Sequence, residues 1–245
     1  MRLRNNRPIK FPEGDERAAY LRDMFGQISD RYNLINHLIA FGQDKVWRRK
    51  AVHAAALPPG GRLLDVGSGT GDIALEALRG NATVRIIAVD FSAQMMHVGR
   101  RRPGGQRIFW CQTDALDLPF PDAIFDAVTS GYLVRNVIDV RRAFEEQMRV
   151  VKPGGRVVCL ETSPPQRTAL WPLVLFHFKV VIPLLGHLIA RNRAAYRYLP
   201  QSTQAFMTPD QLAVILKNIG LEEVSYHRFM FGTMTVLVGV RPLEP

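Results

Sequence analysis

The run Leu63-Leu64-Asp65-Val66-Gly67-Ser68-Gly69-Thr70-Gly71-Asp72 constrains this chain more than any other stretch. An apolar strand pattern runs straight into three glycines, and a helical pattern follows. Glycines at such a junction let the backbone turn sharply and let a ligand approach it closely. Their spacing narrows the choice of ligand. A dinucleotide fingerprint, G-x-G-x-x-G, needs glycine at position 72, where this chain has Asp72. An acid, Asp65, also stands two residues before the first glycine. A carboxylate there repels a pyrophosphate but helps to hold a cationic amino-acid ligand. That charge logic favours S-adenosylmethionine, which carries an ammonium, a carboxylate and a sulfonium.

The texture around this loop fits one architecture. Strand patterns at Arg62–Val66, Arg85–Val89, Ile108–Gln112, Phe125–Ser130 and Arg156–Glu161 alternate with helical patterns at Asp72–Arg79, Ser92–Arg101 and Val140–Val150. Such alternation predicts βαβ units and an α/β fold with a parallel sheet covered by helices on both faces. Val224–Phe229 and Thr233–Val240 read as an antiparallel strand pair closing the sheet. Between Arg156–Glu161 and that pair, Thr208-Pro209-Asp210 starts a helix to Ile219, with Thr208 as N-cap and Gly220 closing it. Asp90 ends the second strand, where a carboxylate can accept both ribose hydroxyls. Asp114-Ala115 follows the third, within reach of an adenine amino group. Thr70 in the loop and Ser130 at the end of the fourth strand complete the candidate cofactor site.

The ends of the chain differ in character. Residues 1 to about 16 are basic, with Pro8, Pro12 and Gly14, and read as a loose arm ahead of one domain spanning 17–245. Residues 17–57 show helical spacing at Met24, Phe25, Ile28 and Tyr32, predicting a cover of two or three helices before the breaker Pro58-Pro59-Gly60-Gly61. An apolar insertion spans 168–200. Its core, Leu170 to Ala190, is long enough to cross a membrane but contains Pro172, Pro183, Lys179, His177 and His187, so it reads as a broken cap over a greasy site.

Charge and cysteine content exclude other classes. With 32 basic and 22 acidic residues the net charge is +10, which draws the chain to polyanions such as nucleic acid or an anionic membrane face. The basic groups are not interleaved with aromatics as a single-strand-binding platform would be, so nucleic acid is not the expected partner. Two cysteines, Cys111 and Cys159, exclude a disulfide scaffold, make a zinc site improbable and suit a reduced, cytosolic setting. The N-terminal residues carry no apolar segment of the signal-peptide kind.

At this point the residues resemble a known family: class I methyltransferases, and within them the ubiquinone/menaquinone biosynthesis C-methyltransferases. Arg149-Val150-Val151-Lys152-Pro153-Gly154-Gly155-Arg156-Val157-Val158-Cys159-Leu160-Glu161-Thr162-Ser163 matches that family's second signature. Tyr32-Asn33-Leu34-Ile35-Asn36-His37-Leu38-Ile39-Ala40, leading to Trp47, resembles the first. There the family usually has Asp for Asn33, Met for Ile35, Ser for Ala40 and His for Asp44. Arg135-Asn136-Val137 and Ala195-Tyr196-Arg197-Tyr198-Leu199-Pro200 are similar to further family stretches. The resemblance runs from about Phe25 to the C-terminus. It implies a seven-stranded Rossmann-like sheet, S-adenosylmethionine as cofactor, and methylation of a prenylated hydroquinone at ring carbon, either demethylmenaquinol or a benzoquinol counterpart.

A quinol carbon becomes nucleophilic once the neighbouring hydroxyl, with a phenol-like pKa of about 10, loses its proton. Arg135 is the first candidate for stabilising that phenolate, with Asn136 orienting the ring. Tyr32 and His37 on the N-terminal cover are alternatives, while Tyr196 and Tyr198 read as packing residues. No metal is required. A lipophilic prenylated quinol as substrate would explain the apolar insertion, and the basic groups would hold the enzyme peripherally on an anionic bilayer. Three other readings stay open: a related methyltransferase acting on a soluble small molecule, a nucleic-acid-binding protein or RNA methyltransferase, and a non-catalytic membrane-bound scaffold.

Overall fold

The computed structural model describes residues 14–165, 171–185, 198 and 201–243. Most of the basic arm, His187 and Tyr196 lie outside the described residues. Seven strands form one sheet in the order β3-β2-β1-β4-β5-β7-β6. These are β1 (Arg62–Val66), β2 (Arg85–Asp90), β3 (Phe109–Gln112), β4 (Phe125–Gly131), β5 (Val151–Thr162), β6 (Glu222–Phe229) and β7 (Met234–Val240). β1 to β5 pair in parallel, and β7 runs antiparallel between β5 and β6. The strand order reverses between β1 and β4. Open sheets of this kind bind ligands outside the strand ends at such a switch point, and the glycine loop leaves β1 there.

Both faces of the sheet are buried, as the apolar strand runs demand. Leu63, Ile86, Ala88, Ala127, Val158 and Leu160 face one way, against α2 (Asp44–Ala54) and α3 (Asp72–Gly80). Leu64, Val66, Val89, Val128, Val157 and Cys159 face the other, against α5 (Val140–Val150) and α8 (Pro209–Asn218). The caps follow from sequence: Ser92 accepts from Met95 N at α4 (Ala93–Arg101), and Asp139 accepts from Arg142 N at α5. Thr208 and Gln211 form a reciprocal capping box at α8.

Two expectations need correction. The arm does not extend to residue 16, because α1 (Gly14–Ile39) already begins at Gly14; an acid such as Glu16 suits a helix N-terminus. The fifth strand does not begin at Arg156 but at Val151, so Lys152–Gly155 lies within β5. A register shift between Phe125 and Ala127 absorbs Pro153, and Gly154 N still donates to Arg241 O at 2.8 Å.

The N-terminal cover is two helices. α1 buries Leu21, Met24, Phe25, Ile28 and Ile35 against Met95 of α4 and against Val174, Phe178 and Ile182 of the apolar insertion. That insertion runs as α6 (Trp171–Phe176), a π-helical turn over His177–Val181, and α7 (Ile182–Leu185). Among the described residues no helix is long and apolar enough to cross a membrane.

Candidate functional site

The glycine loop is shaped by its neighbours. Gly67, Gly69 and Gly71 have φ of 65°, 55° and 78°, a region that costs other residues strain. Space is short as well: a Cβ on Gly67 would meet Leu133 Cδ1 at 2.7 Å, and one on Gly71 would meet Trp110 Cη2 at 2.4 Å. Asp90 pins the loop. Its Oδ2 accepts from Gly69 N at 2.7 Å and its Oδ1 from Ser92 N at 2.8 Å. Burial raises the Asp90 carboxyl to about 6, with the backbone donors opposing.

A cavity of about 140 Å³ opens over this loop. Gly67, Gly69, Asp90, Asp114, Ala115 and Asn136 line it, together with apolar Phe91, Met95, Leu133 and Ile138. An acceptor pair at the β2 end, a second carboxylate past β3 and apolar walls between them suit an adenosine: ribose hydroxyls on Asp90, the base among the apolar side chains. Those residues fit S-adenosylmethionine.

A second cavity, of about 370 Å³, adjoins the first. Its walls are mostly apolar, drawn from α1, α2, the insertion and the turn before β7, and include Phe41, Trp47, Val174, Phe178 and Met234. Tyr32 and Tyr132 line both cavities. Tyr132 adopts φ 57°, a costly conformation for an aromatic residue, and its amide donates to Leu160 O at 2.8 Å. Burial raises the pKa of both tyrosines, so both stay protonated at neutral pH.

Arg135 lines the larger cavity. It forms a buried ion pair with Glu161 at the end of β5, and its guanidinium lies 5.4 Å from the Tyr132 ring centroid. Burial works against its charge, but Glu161 and the neighbouring tyrosines together outweigh this, so its pKa is raised and it stays charged. Asn136 donates to Tyr132 O and accepts from Tyr198 OH, both at 2.8 Å, so Tyr198 both packs and positions Asn136.

Behind the loop, a chain of charges ties the cover to the sheet. Arg48 bridges Asp44 (2.7 Å) and Asp72 (2.8 Å), and Arg102 reaches Asp72 at 2.7 Å. The Asn33 carboxamide meets the Thr70 hydroxyl at 2.8 Å, with its nitrogen toward Thr70 and Asp72 and its oxygen toward Arg102. His37 Nδ1 lies 2.7 Å from Asp44 Oδ1.

The predicted site residues therefore divide. Gly67, Gly69, Asp90, Asp114, Ala115 and Asn136 meet at the smaller cavity, Arg135 at the larger, and Tyr32 at both. Asp65 does not line either cavity. Its carboxylate accepts from Thr129 Oγ1 (2.9 Å) and Ala74 N (3.2 Å), and burial raises it to about 7, so it braces the start of α3 rather than facing a ligand's ammonium. Thr70 and Gly71 shape the loop from behind, and Ser130 is buried beside Cys159 in the β4–β5 pairing; none of the three lines a cavity. His37 also stays outside both cavities because Asp44 holds its ring.

Sequence reasoning missed Tyr132, Glu161, Arg48 and the role of Asp44. Glu161 carried a usable signal, an acid ending an otherwise apolar strand as Asp90 does. Tyr132 carried none, since its importance comes from a positive φ at a strand end.

Comparison with known proteins agrees with this geometry. A profile described as the ubiE/COQ5 methyltransferase family matches residues 13–241. The ubiquinone/menaquinone biosynthesis C-methyltransferase UbiE of Desulfotalea psychrophila is 44% identical over 218 residues, covering 89% of each chain. The demethylmenaquinone methyltransferase of Thermus thermophilus is 41% identical, covering 89% of this chain and 100% of its own. A SAM-dependent methyltransferase from Thermotoga maritima shares the fold at TM-score 0.64 and 19% identity, covering 90% of this chain and 99% of its own. With the cofactor cavity at the switch point and the match running along nearly the whole chain, the protein is an S-adenosylmethionine-dependent methyltransferase and belongs to the ubiE/COQ5 methyltransferase family.

Proposed function

We propose that this enzyme methylates a ring carbon of a prenylated hydroquinone, a demethylmenaquinol or its benzoquinol counterpart. The observation that carries the reading is the pair of adjoining cavities that share Tyr32 and Tyr132. The smaller suits the cofactor; the larger, about 370 Å³ and apolar, suits an aromatic ring and the first part of a hydrocarbon tail. The names of the relatives point the same way. When bound, S-adenosylmethionine supplies an activated methyl group on sulfur. The protein supplies position and electrostatics. Arg135 stabilises the quinolate oxygen, with Glu161 fixing its guanidinium and leaving the pair neutral overall. Asn136 and Tyr32 orient the ring at the opening between the cavities.

The mouth of the larger cavity supports peripheral contact with an anionic bilayer. Phe41, Leu173, Phe176 and Phe231 line that cavity, and each is more than half exposed. A water-insoluble substrate needs such a rim to pass from lipid to site, and the +10 charge adds attraction to acidic headgroups.

The test is transfer of a labelled methyl group to reduced quinols of both ring types with tails of increasing length. KM should fall as the tail grows, since each buried CH₂ contributes about 0.8 kcal/mol. Equal KM with and without a tail would contradict the assignment of the larger cavity. Transfer only to a soluble amine or phenol would replace the proposed substrate.

A further inference from the structure

Methylation at a quinol carbon passes through an oxyanion, and an oxyanion in an apolar cavity is best held by more than one donor. The hydroxyl proton leaves for solvent, and the charge left on oxygen pushes electron density onto the neighbouring ring carbon. That carbon's electron pair forms the new C–C bond as the S–CH₃ bond breaks, and the old bonding pair stays on sulfur, which departs as a thioether. The ring carbon then gives up its hydrogen as a proton to water and the oxygen regains one, so one proton is released overall. We propose that Tyr132 is a catalytic residue whose hydroxyl donates to the quinolate oxygen beside Arg135. This rests on the quinol reading above.

Among the described residues, Tyr32 and Tyr132 alone line both cavities, so they stand where the methyl group and the ring meet. The polar groups around that opening are mostly committed. The Asn36 side chain hydrogen-bonds the Tyr32 hydroxyl. Asn136 is tied at both ends, donating to Tyr132 O and accepting from Tyr198 OH. Arg135 gives Nη1 to Glu161. The Tyr132 hydroxyl differs: among the described residues nothing hydrogen-bonds it, and it is not one of the sealed, unpartnered polar atoms. Buried hydroxyls in native proteins find partners. One left without a partner on the wall of a substrate cavity is a donor available to the substrate.

Backbone and electrostatics agree with that role. Tyr132 sits at φ 57°. Packing alone asks for an aromatic ring and no strain, whereas left-handed conformations of bulky residues gather at functional sites where the surroundings fix them. Here Leu160 O accepts Tyr132 N and Asn136 donates to Tyr132 O, each at 2.8 Å, so the strained residue is held from both sides. The charged and titratable groups facing Tyr132 are Arg48 from α2, Tyr32 from α1, Arg135 after β4, and Glu161 from β5. The Arg135 guanidinium lies 5.4 Å from the Tyr132 ring centroid, which makes the two residues neighbouring donors. Both guanidiniums favour negative charge close by. Burial nevertheless keeps the proton on Tyr132 itself, so its hydroxyl donates rather than ionises.

The experiment compares the wild type with Tyr132→Phe, which keeps the ring and removes only the hydroxyl. Quinol methylation is followed across the pH range in which kcat rises as the bound quinol ionises. Near neutral pH the variant's kcat should fall about 10- to 100-fold, the worth of one donor to an oxyanion, with quinol KM and cofactor affinity little changed. The deficit should shrink as pH rises, because without the donor ionisation moves to higher pH. Bound naphthol gives a readout that needs no methylation: its absorbance reports ionisation, which Tyr132→Phe should likewise move to higher pH. Unchanged kcat, or a raised KM alone, would overturn the proposal and leave Tyr132 as a packing residue. A lower kcat with an unmoved pH profile would overturn it too, since a misplaced ring slows the reaction alike at every pH. If Tyr132→Phe does not fold, Tyr132→fluorotyrosine decides: a stronger donor should move the profile to lower pH, and an unmoved profile refutes the role. If naphthol ionisation depends on Tyr132 but the wild type methylates no quinol, the substrate reading fails and the oxyanion site stands. Naphthol that ionises equally in both proteins refutes the site.

Discussion

Replacing Asp90 with asparagine should weaken cofactor binding and remove its pH dependence. The wild-type carboxylate already accepts Gly69 N at 2.7 Å and Ser92 N at 2.8 Å, yet it has lone pairs left for a ribose diol. Asparagine keeps one acceptor oxygen but turns an NH₂ toward the other backbone donor. Losing one hydrogen bond to a charged group costs about 1.5–3 kcal/mol, or about 10- to 160-fold in affinity. The pH argument has a definite sign. Burial lifts this carboxyl from 3.8 to about 6, which favours the protonated form by about 3 kcal/mol. The folded protein therefore holds this proton more tightly than the unfolded chain does. Stability contributed by this group falls as pH rises from about 4 to about 6 and is flat above that. Ribose hydroxyls need the ionised form, so affinity should drop as pH falls below about 6, and binding near pH 6 should release a proton. Calorimetry in buffers of different ionisation enthalpy measures that proton directly. Unchanged affinity in Asp90→Asn, or no proton release by the wild type, would refute the assignment.

Arg135→Lys should fold and lower kcat by about 10²-fold, because a point charge cannot reproduce the planar fork toward both Glu161 and the quinolate. Arg135→Ala should instead lose about 3–5 kcal/mol of stability by stranding the buried Glu161, visible in denaturant unfolding, and Glu161→Gln should recover part of it. Phe176→Glu, on the exposed mouth, should reduce sedimentation with anionic vesicles while leaving cofactor affinity unchanged. Thr208→Ala should cost about 1 kcal/mol through loss of the α8 capping box, without altering turnover.

Much of the cofactor half was legible because its determinants are local. A glycine triplet after an apolar strand, and acids at successive strand ends, are patterns that short-range sterics and hydrogen bonding impose. The substrate half is assembled from elements far apart in the chain, and periodicity does not say which side chains will meet there. Asp65 shows the limit well: an acid beside the loop suggested a ligand contact, yet the pleat of β1 turns it toward Thr129 and the start of α3. His37 shows another, since its ring is held outside both cavities by a carboxylate seven residues later across a turn. Tyr132 depends on a left-handed backbone at the end of β4 that only the packed sheet can hold. Where it is described, the insertion is a broken helix lining the apolar cavity, and Pro172 and Lys179 are the residues in its sequence that oppose a membrane-spanning helix.

The measurement that tests the account most directly is the position of the transferred methyl group. Enzyme, cofactor carrying a ¹³C-methyl group and a reduced, prenylated demethylquinol are incubated together, and the product is examined by NMR. The arrangement of two cavities joined at Tyr32 and Tyr132 predicts one new methyl resonance in the aryl–CH₃ region, coupled to ring carbons. A methoxy resonance, or label appearing only on a soluble acceptor, would contradict it.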